Sequence, residues 1–170
     1  HALLPDASLV VQLRDPVARA YSDYCMLFRR GMVDGRIRDH LGPDGEHRRF
    51  REDGLYFAHL KRWMEWYDPK QILVLLYEDV ARDPELSFAR VARHVGLPGK
   101  PVLVAAEKRH NDSQAPMLPL PVRKAMAPLK QSFAPLRSKG WFRKLHGTLA
   151  RPVQYPPLPA DVRAQLEDFY

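Results

Sequence analysis

Cysteine is almost missing from this sequence. Cys25 stands alone, which excludes an internal disulfide and fits a reducing compartment. It lies on an apolar helical stripe and reads as a small buried hydrophobe. Metal-binding patterns are missing too: seven His and one Cys form no HExxH, no CxxC and no paired acidic loop, so no metal is expected. No GxSxG elbow offers a serine nucleophile. Neither a GxxxxGK[ST] loop nor a shorter Lys-Gly-Thr loop occurs, so a phosphate cradle of that kind is excluded from these residues. No apolar run approaches the ~18 residues of a membrane span. No charged-then-apolar leader opens the chain, which starts at His1. Internal repeats and low-complexity runs are absent.

What is present is enough for a core. With 170 residues and 45% hydrophobic side chains, one globular domain over residues 1–170 is expected. The net charge of +7 is unevenly spread. Residues 100–155 hold eleven Lys and Arg against Glu107 and Asp112, whereas the remainder holds 16 basic and 18 acidic residues. Such a block reads either as a solvated face or as attraction to an anionic partner: a nucleotide, a polyanionic glycan, nucleic acid or an acidic membrane surface. Nucleic acid has only this charge in its favour, because the aromatics fall in apolar stripes and no recognised module is present.

The chain is organised around SLVVQLRDPVARAYSDY, residues 8–24. Ser8 to Leu13 is a short apolar run suited to a buried strand, and Asp15-Pro16 is the pairing of a helix N-cap and first helical residue. Val17, Ala20, Tyr21, Tyr24 and Phe28 then recur at helical spacing, with Arg19 and Ser22 on the other face. Ligands of open α/β sheets bind at the carboxyl ends of the strands. Arg14, at such an end, and Ser22, two turns into the helix, are therefore placed to hold an anion.

Residues 29–53 lack a long apolar period and contain five glycine and proline punctuators, so a loop with at most a short helix is expected. Its His40, His47, Arg36, Arg48, Arg49 and Arg51 suit an acceptor-binding rim, or else a mobile solvated loop. Leu55 to Tyr67 has helical spacing between Gly54 and Pro69, and its aromatic stripe reads as core packing. Gln71 to Tyr77 is a second strand, read as buried on both faces. Asp83-Pro84-Glu85 opens a helix with Phe88, Val91, Ala92 and Val95 on its stripe, closed by Gly96. Two such strands joined through helices predict a right-handed parallel crossover. Beyond Gly96 a third strand is conceivable only at Val102 to Ala105. From Lys100 onward lie ten of the sixteen prolines, with short helices expected around Val122 to Leu129 and Pro159 to Tyr170.

The junction LRDPVARAYSDY, of the form RDPxxRAxSxY, resembles the 3′-phosphate-binding segment of the sulfotransferase family. These enzymes move a sulfuryl group from 3′-phosphoadenosine 5′-phosphosulfate (PAPS) to a hydroxyl or amine. LLPDASLVVQ resembles the family's lead into this strand, and GLYFAHLKRW, LLYED and VGLP resemble its Gly-x-Tyr helix, Glu-Asp strand end and closing Gly-Leu-Pro segment. KGWFRKL and QYPPLPADVRAQLEDFY are similar to the tail of the heparan N-sulfotransferase branch and its bacterial relatives.

The resemblance implies an α/β fold: a parallel-sheet, P-loop-NTPase-like, three-layer sulfotransferase fold, of which this chain is the C-terminal part. It implies that Arg14 and Ser22 bind the 3′-phosphate of PAPS. It adds Phe142 to the cofactor site, with Trp141 as the alternative, and Arg151 and Tyr155 from the tail. The chain carries Pro152-Val153-Gln154 where family members often have Gly-Arg-Lys. The catalytic base and the lysine at the 5′-phosphosulfate are expected upstream, so no catalytic residue is assigned here. The implied partners are the anionic nucleotide and a glycan or glycolipid acceptor. The paired cysteines of the animal tail are absent, which points to a bacterial-type, cytoplasmic protein and away from the Golgi lumen. The alternative is a non-catalytic, polyanion-binding module derived from a sulfotransferase.

Overall fold

A computed structural model describes residues 4–45, 47–98, 116–119, 122, 148 and 150–170. The chain falls into two compact units, one of His1–Tyr24, Ile37–Glu107 and Leu158–Tyr170, the other of Cys25–Arg36 and Lys108–Pro157.

The first unit is built on two strands, β1 (Leu9–Leu13) and β2 (Ile72–Leu76), paired in parallel from Leu9↔Ile72 to Leu13↔Leu76. The apolar runs thus form the strands expected, and the parallel pairing is as expected. β2 is not buried on both faces: Leu75 is buried but Leu76 is 48% exposed. The reason is the width of the sheet, since two strands are all it contains among the described residues.

Helix α1 (Pro16–Arg30) starts where Asp15 caps it. The Asp15 carboxylate accepts from Ala18 N–H at 2.7 Å, and Pro16 takes the first helical position, where no N–H is needed. Val17, Ala20 and Tyr24 of its stripe are buried, with Tyr21 and Phe28 half-buried. Residues 29–53 are more ordered than a loop. They contain α2 (Ile37–Leu41) and α3 (Arg49–Glu52), whose buried Ile37, Leu41 and Phe50 join the Tyr24 ring; Phe50 meets it edge-on at 6.3 Å.

Helix α4 (Tyr56–Met64) follows, shorter than the stripe and with none of its own residues buried. Of the aromatic stripe read as core packing, Trp63 is 49% exposed and Tyr56 half-buried; only Tyr67, beyond the helix, is buried. The narrow sheet explains this as well, because it offers those side chains little apolar surface to cover. A one-turn 3-10 helix, Pro69–Gln71, then leads into β2 through a capping box between Asp68 and Gln71. Gln71 Nε2 donates onward to Pro5 O at 2.8 Å, tying this turn to the lead of β1.

The expected stop after β2 is the start of a further helix, α5 (Tyr77–Arg82), and α6 (Pro84–His94) follows with Asp83 as its cap, accepting from Leu86 N–H at 2.9 Å. Gly96 at φ +72° ends α6, in the left-handed region open to glycine, and Leu97 N–H returns to Ala92 O at 2.9 Å. Helix α7 (Ala160–Phe169) seats Val162 and Leu166 in the core of this unit.

In the second unit Gly31, at φ +74°, ends α1 in the same way, with Met32 N–H returning to Leu27 O. Met117 and Arg151 form an antiparallel bridge, exchanging N–H···O bonds of 2.9 Å each way. The Val102 to Ala105 strand, the Val122 to Leu129 helix, Trp141 and Phe142, and most of the basic block lie outside the described residues.

Candidate functional site

The sheet register sets the geometry of the first unit. Leu13 and Leu76 are the last paired residues, so Arg14 and Tyr77 leave the carboxyl ends of adjacent strands side by side. The Arg14 guanidinium lies over the Tyr77 ring, 5.0 Å from its centroid, a cation–π contact that holds a half-buried cation without an anion. Ser22 is exposed on α1, as its helical phase predicts. The carboxyl-end placement therefore brings a cation and a hydroxyl onto one strand–helix junction.

The backbone around them is already occupied. Asp15 N–H points to Glu78 Oε1 at 3.4 Å, and Ala18 N–H is taken by the Asp15 carboxylate. Burial raises the Tyr56 pKa above its ordinary 10.0, an effect that Arg19 and the Arg14 amide oppose. Tyr56, Tyr77 and Glu78 were not singled out by the sequence as site residues. Tyr56 reads there as one member of an apolar stripe and the other two as a strand end. Pairing β1 with β2 in register is the step that places Tyr77 and Glu78 beside Arg14.

Arg19 differs from its expected place on the polar face. Its side chain is only 20% exposed and reaches inward, Nη2 donating to Phe50 O at 2.5 Å, with Asp23 as ion-pair partner at 3.8 Å. A long cation can cover its stem and keep its head among carbonyls and a carboxylate, which a pattern of residue types does not reveal.

Arg36, Arg38, Arg48, Arg49 and Arg51 each have a partner inside their own unit. In the first unit Arg38 pairs with Asp161, Arg48 with Glu52 at 2.9 Å, and Arg49 with Asp23 at 3.0 Å. Arg51 donates to Pro43 O at 2.6 Å and lies over the Phe169 ring. In the second unit Arg36 pairs with Asp34 at 2.8 Å. An anionic acceptor at such a rim would have to exchange for these partners, which cost little to displace where they are exposed.

Two tail residues assigned from the resemblance belong to the second unit. The Arg151 side chain is exposed while its backbone is fixed by Met117. Tyr155 is half-buried; its ring lies 6.2 Å from that of Phe28, and its hydroxyl accepts from Arg29 at 3.5 Å. Phe142 is outside the described residues. Among the described residues no group of three His, Cys, Asp or Glu side chains could hold a metal ion, and no helix is long and apolar enough to cross a membrane.

A family model described as the sulfotransferase family matches residues 1–101. The chain is 33% identical over 102 residues to human heparan sulfate glucosamine 3-O-sulfotransferase 6, covering 57% of this chain and 30% of that protein. It is 29% identical over 120 residues to human carbohydrate sulfotransferase 15, covering 57% of this chain and 21% of the relative. Among solved structures, a sulfotransferase from Alicyclobacillus acidocaldarius superposes with a TM-score of 0.55 at 26% identity, over 73% of this chain and 51% of that one. The chain thus spans under a third of these curated relatives and about half of the bacterial structure. The matched stretch contains both strands, α1 and the Arg14–Ser22 junction, and the α/β architecture is that of a sulfotransferase. On these grounds the chain belongs to the sulfotransferase family.

Proposed function

We propose that the protein transfers a sulfuryl group from PAPS to a hydroxyl or amine of an acceptor, and that this chain holds the 3′-phosphate end of the nucleotide. The observation that carries the reading is the junction itself: Arg14 leaves the carboxyl end of β1 while Ser22 is exposed on the helix that follows. The donor set suits a phosphate. Arg offers a planar fork for two phosphate oxygens and Ser a neutral donor. The reaction is an in-line displacement, in which the acceptor oxygen or nitrogen bonds to sulfur and the sulfur–oxygen bond to the 5′-phosphate breaks. The acceptor proton passes to a base, and adenosine 3′,5′-bisphosphate leaves. Such transfer depends mainly on positioning and on charge stabilisation of the leaving phosphate. We assign neither the base nor the cation at the 5′-phosphosulfate to residues of this chain. Phe142, Arg151 and Tyr155 are proposed as further contacts to the nucleotide.

A glycan or glycolipid acceptor is the reading favoured by the relatives, which carry heparan sulfate and carbohydrate in their names. A cytoplasmic location is supported by the single cysteine of this sequence, Cys25, which fits a reducing compartment. The test is calorimetric titration of the full-length protein with adenosine 3′,5′-bisphosphate. Removing a charge-assisted phosphate bond in Arg14→Ala is expected to weaken binding about ten- to hundredfold. An unchanged affinity refutes the assignment, and heparin retention without sulfate transfer would replace the enzyme by a polyanion-binding module.

A further inference from the structure

Phe50 O is the meeting point of two elements far apart in sequence. Arg19 donates to it from α1 at 2.5 Å, and the Tyr170 hydroxyl, at the end of α7, lies 3.2 Å from it and 3.0 Å from Arg51 O. Burial raises the Tyr170 pKa, and the Arg19 cation opposes it. The fit is close: a Cβ on Gly54 would stand 2.5 Å from Tyr170 Cε1 and 2.7 Å from its hydroxyl oxygen, so only glycine admits the ring.

These contacts grip the junction between its two phosphate ligands. Arg19 is three residues before Ser22, so the two are neighbours on the helix surface. Arg14 lies just beyond the last paired residue of β1, so the seating of α1 on the body of the unit sets the spacing of Arg14 and Ser22. Gly54 thereby acquires a physical explanation: it makes room for Tyr170.

We propose that Arg19 and Tyr170, meeting at Phe50 O, form a positioning brace for the 3′-phosphate site, through which the docking of helix α7 sets nucleotide affinity. The inference rests on the reading of Arg14 and Ser22 as ligands of that phosphate. A brace of this kind acts on the part of the affinity that the 3′-phosphate contributes and leaves the rest of the nucleotide untouched. Neither residue need contact the ligand.

The test compares adenosine 3′,5′-bisphosphate with adenosine 5′-monophosphate, which lacks the 3′-phosphate, on the full-length protein by calorimetry. Tyr170→Phe keeps the ring and removes its hydroxyl, and Gly54→Ala displaces the ring. Each is expected to weaken the bisphosphate about three- to tenfold and to leave the monophosphate unchanged. Arg14→Ala serves as the reference. If Arg14→Ala weakens the bisphosphate while both of these variants bind it like the wild type, the brace is overturned and the site stands. Equal losses for the two nucleotides in these variants also overturn it, since that is the signature of a general structural defect. If Arg14→Ala changes nothing, the site itself falls, and the brace with it.

Discussion

Replacing Gly54 by Ala adds one methyl group directly against the Tyr170 ring. Its backbone is not left-handed, so the substitution meets no torsional obstacle, and the whole effect comes from the ring above it. The new Cβ would lie 2.5 Å from Tyr170 Cε1 and 2.7 Å from both Cζ and the hydroxyl oxygen, far inside van der Waals contact. Three ring atoms cannot all be relieved by a small torsion, so Tyr170 must leave its seat. Overpacking of this type costs about 1–3 kcal/mol. Ejecting the ring also forfeits its hydroxyl bond to Phe50 O and Arg51 O, worth about 1 kcal/mol net. Against this, Ala stiffens the unfolded chain relative to Gly by about 0.4–1 kcal/mol. The expected net loss is about 1–3 kcal/mol in urea unfolding of the full-length protein. The decisive comparison is made in a Tyr170→Ala background, where the obstructing ring is gone. There Gly54→Ala is expected to be neutral or to stabilise by a few tenths of a kcal/mol. An equal cost in both backgrounds would refute the reasoning, because it would locate the clash elsewhere.

The two tyrosines of this cluster also set a pH dependence. Burial is the first cause raising Tyr56 and Tyr170 above the ordinary 10.0, with Arg19 opposing it in both. A raised phenol holds its proton longer in the folded state than in the unfolded one. Their contribution to stability is therefore complete below pH 10 and is lost as pH rises through the raised values. Urea midpoints measured across that range should fall, and fall less steeply in a Tyr56→Phe/Tyr170→Phe double variant; identical slopes would contradict this. At the amino ends of both strands, His94 Nε2 lies 3.0 Å from both Leu9 O and Gln71 O, and carbonyls only accept, so this nitrogen carries the proton. His94→Ala leaves two part-buried carbonyls without that donor and should cost about 1–3 kcal/mol, with partial recovery in His94→Gln; a neutral His94→Ala by urea unfolding would show the bond to be dispensable.

What could be read from the sequence was local chemistry. Asp15-Pro16 and Asp83-Pro84 mark helix starts because a cap and its N–H lie within three residues of one another, and Gly96 marks a helix end because its own backbone must turn left-handed. The Arg14–Ser22 junction was legible for the same reason, being a strand end and the first two turns of one helix. Contacts set by long separations were hidden. Arg14 meets Tyr77 only through the register of β1 on β2, and Arg19 reaches Phe50 O across 31 residues, Tyr170 across 120. Arg19 was misplaced on a solvent face because residue type reports a charge and not the carbonyls waiting for it. Trp63 was misread as core for the converse reason: helical spacing shows that a stripe exists, but not how much sheet lies beneath it.

The junction also shows which anion-binding device this fold uses here. A helix N-terminus following a strand ordinarily offers free N–H groups and the positive end of the helix dipole to a phosphate. In this chain most of that device is used up. Pro16 has no N–H, the Ala18 N–H is spent on Asp15 and the Asp15 N–H faces Glu78. Asp15 further sets a carboxylate at the dipole's positive end, which weakens its attraction for a second anion. Anion binding at this junction therefore comes chiefly from side chains, the Arg14 fork and the Ser22 hydroxyl. Side chains on a cradle of backbone N–H groups would need no outside support, since the cradle is fixed by its own turn. Two side chains separated by two helical turns keep a fixed spacing only if the helix is held against the body of the protein. That requirement is met by Arg19, with Phe50 O and Tyr170 as its anchors, so the cap that removes the backbone donors is also what makes the distant C-terminal helix matter to the site.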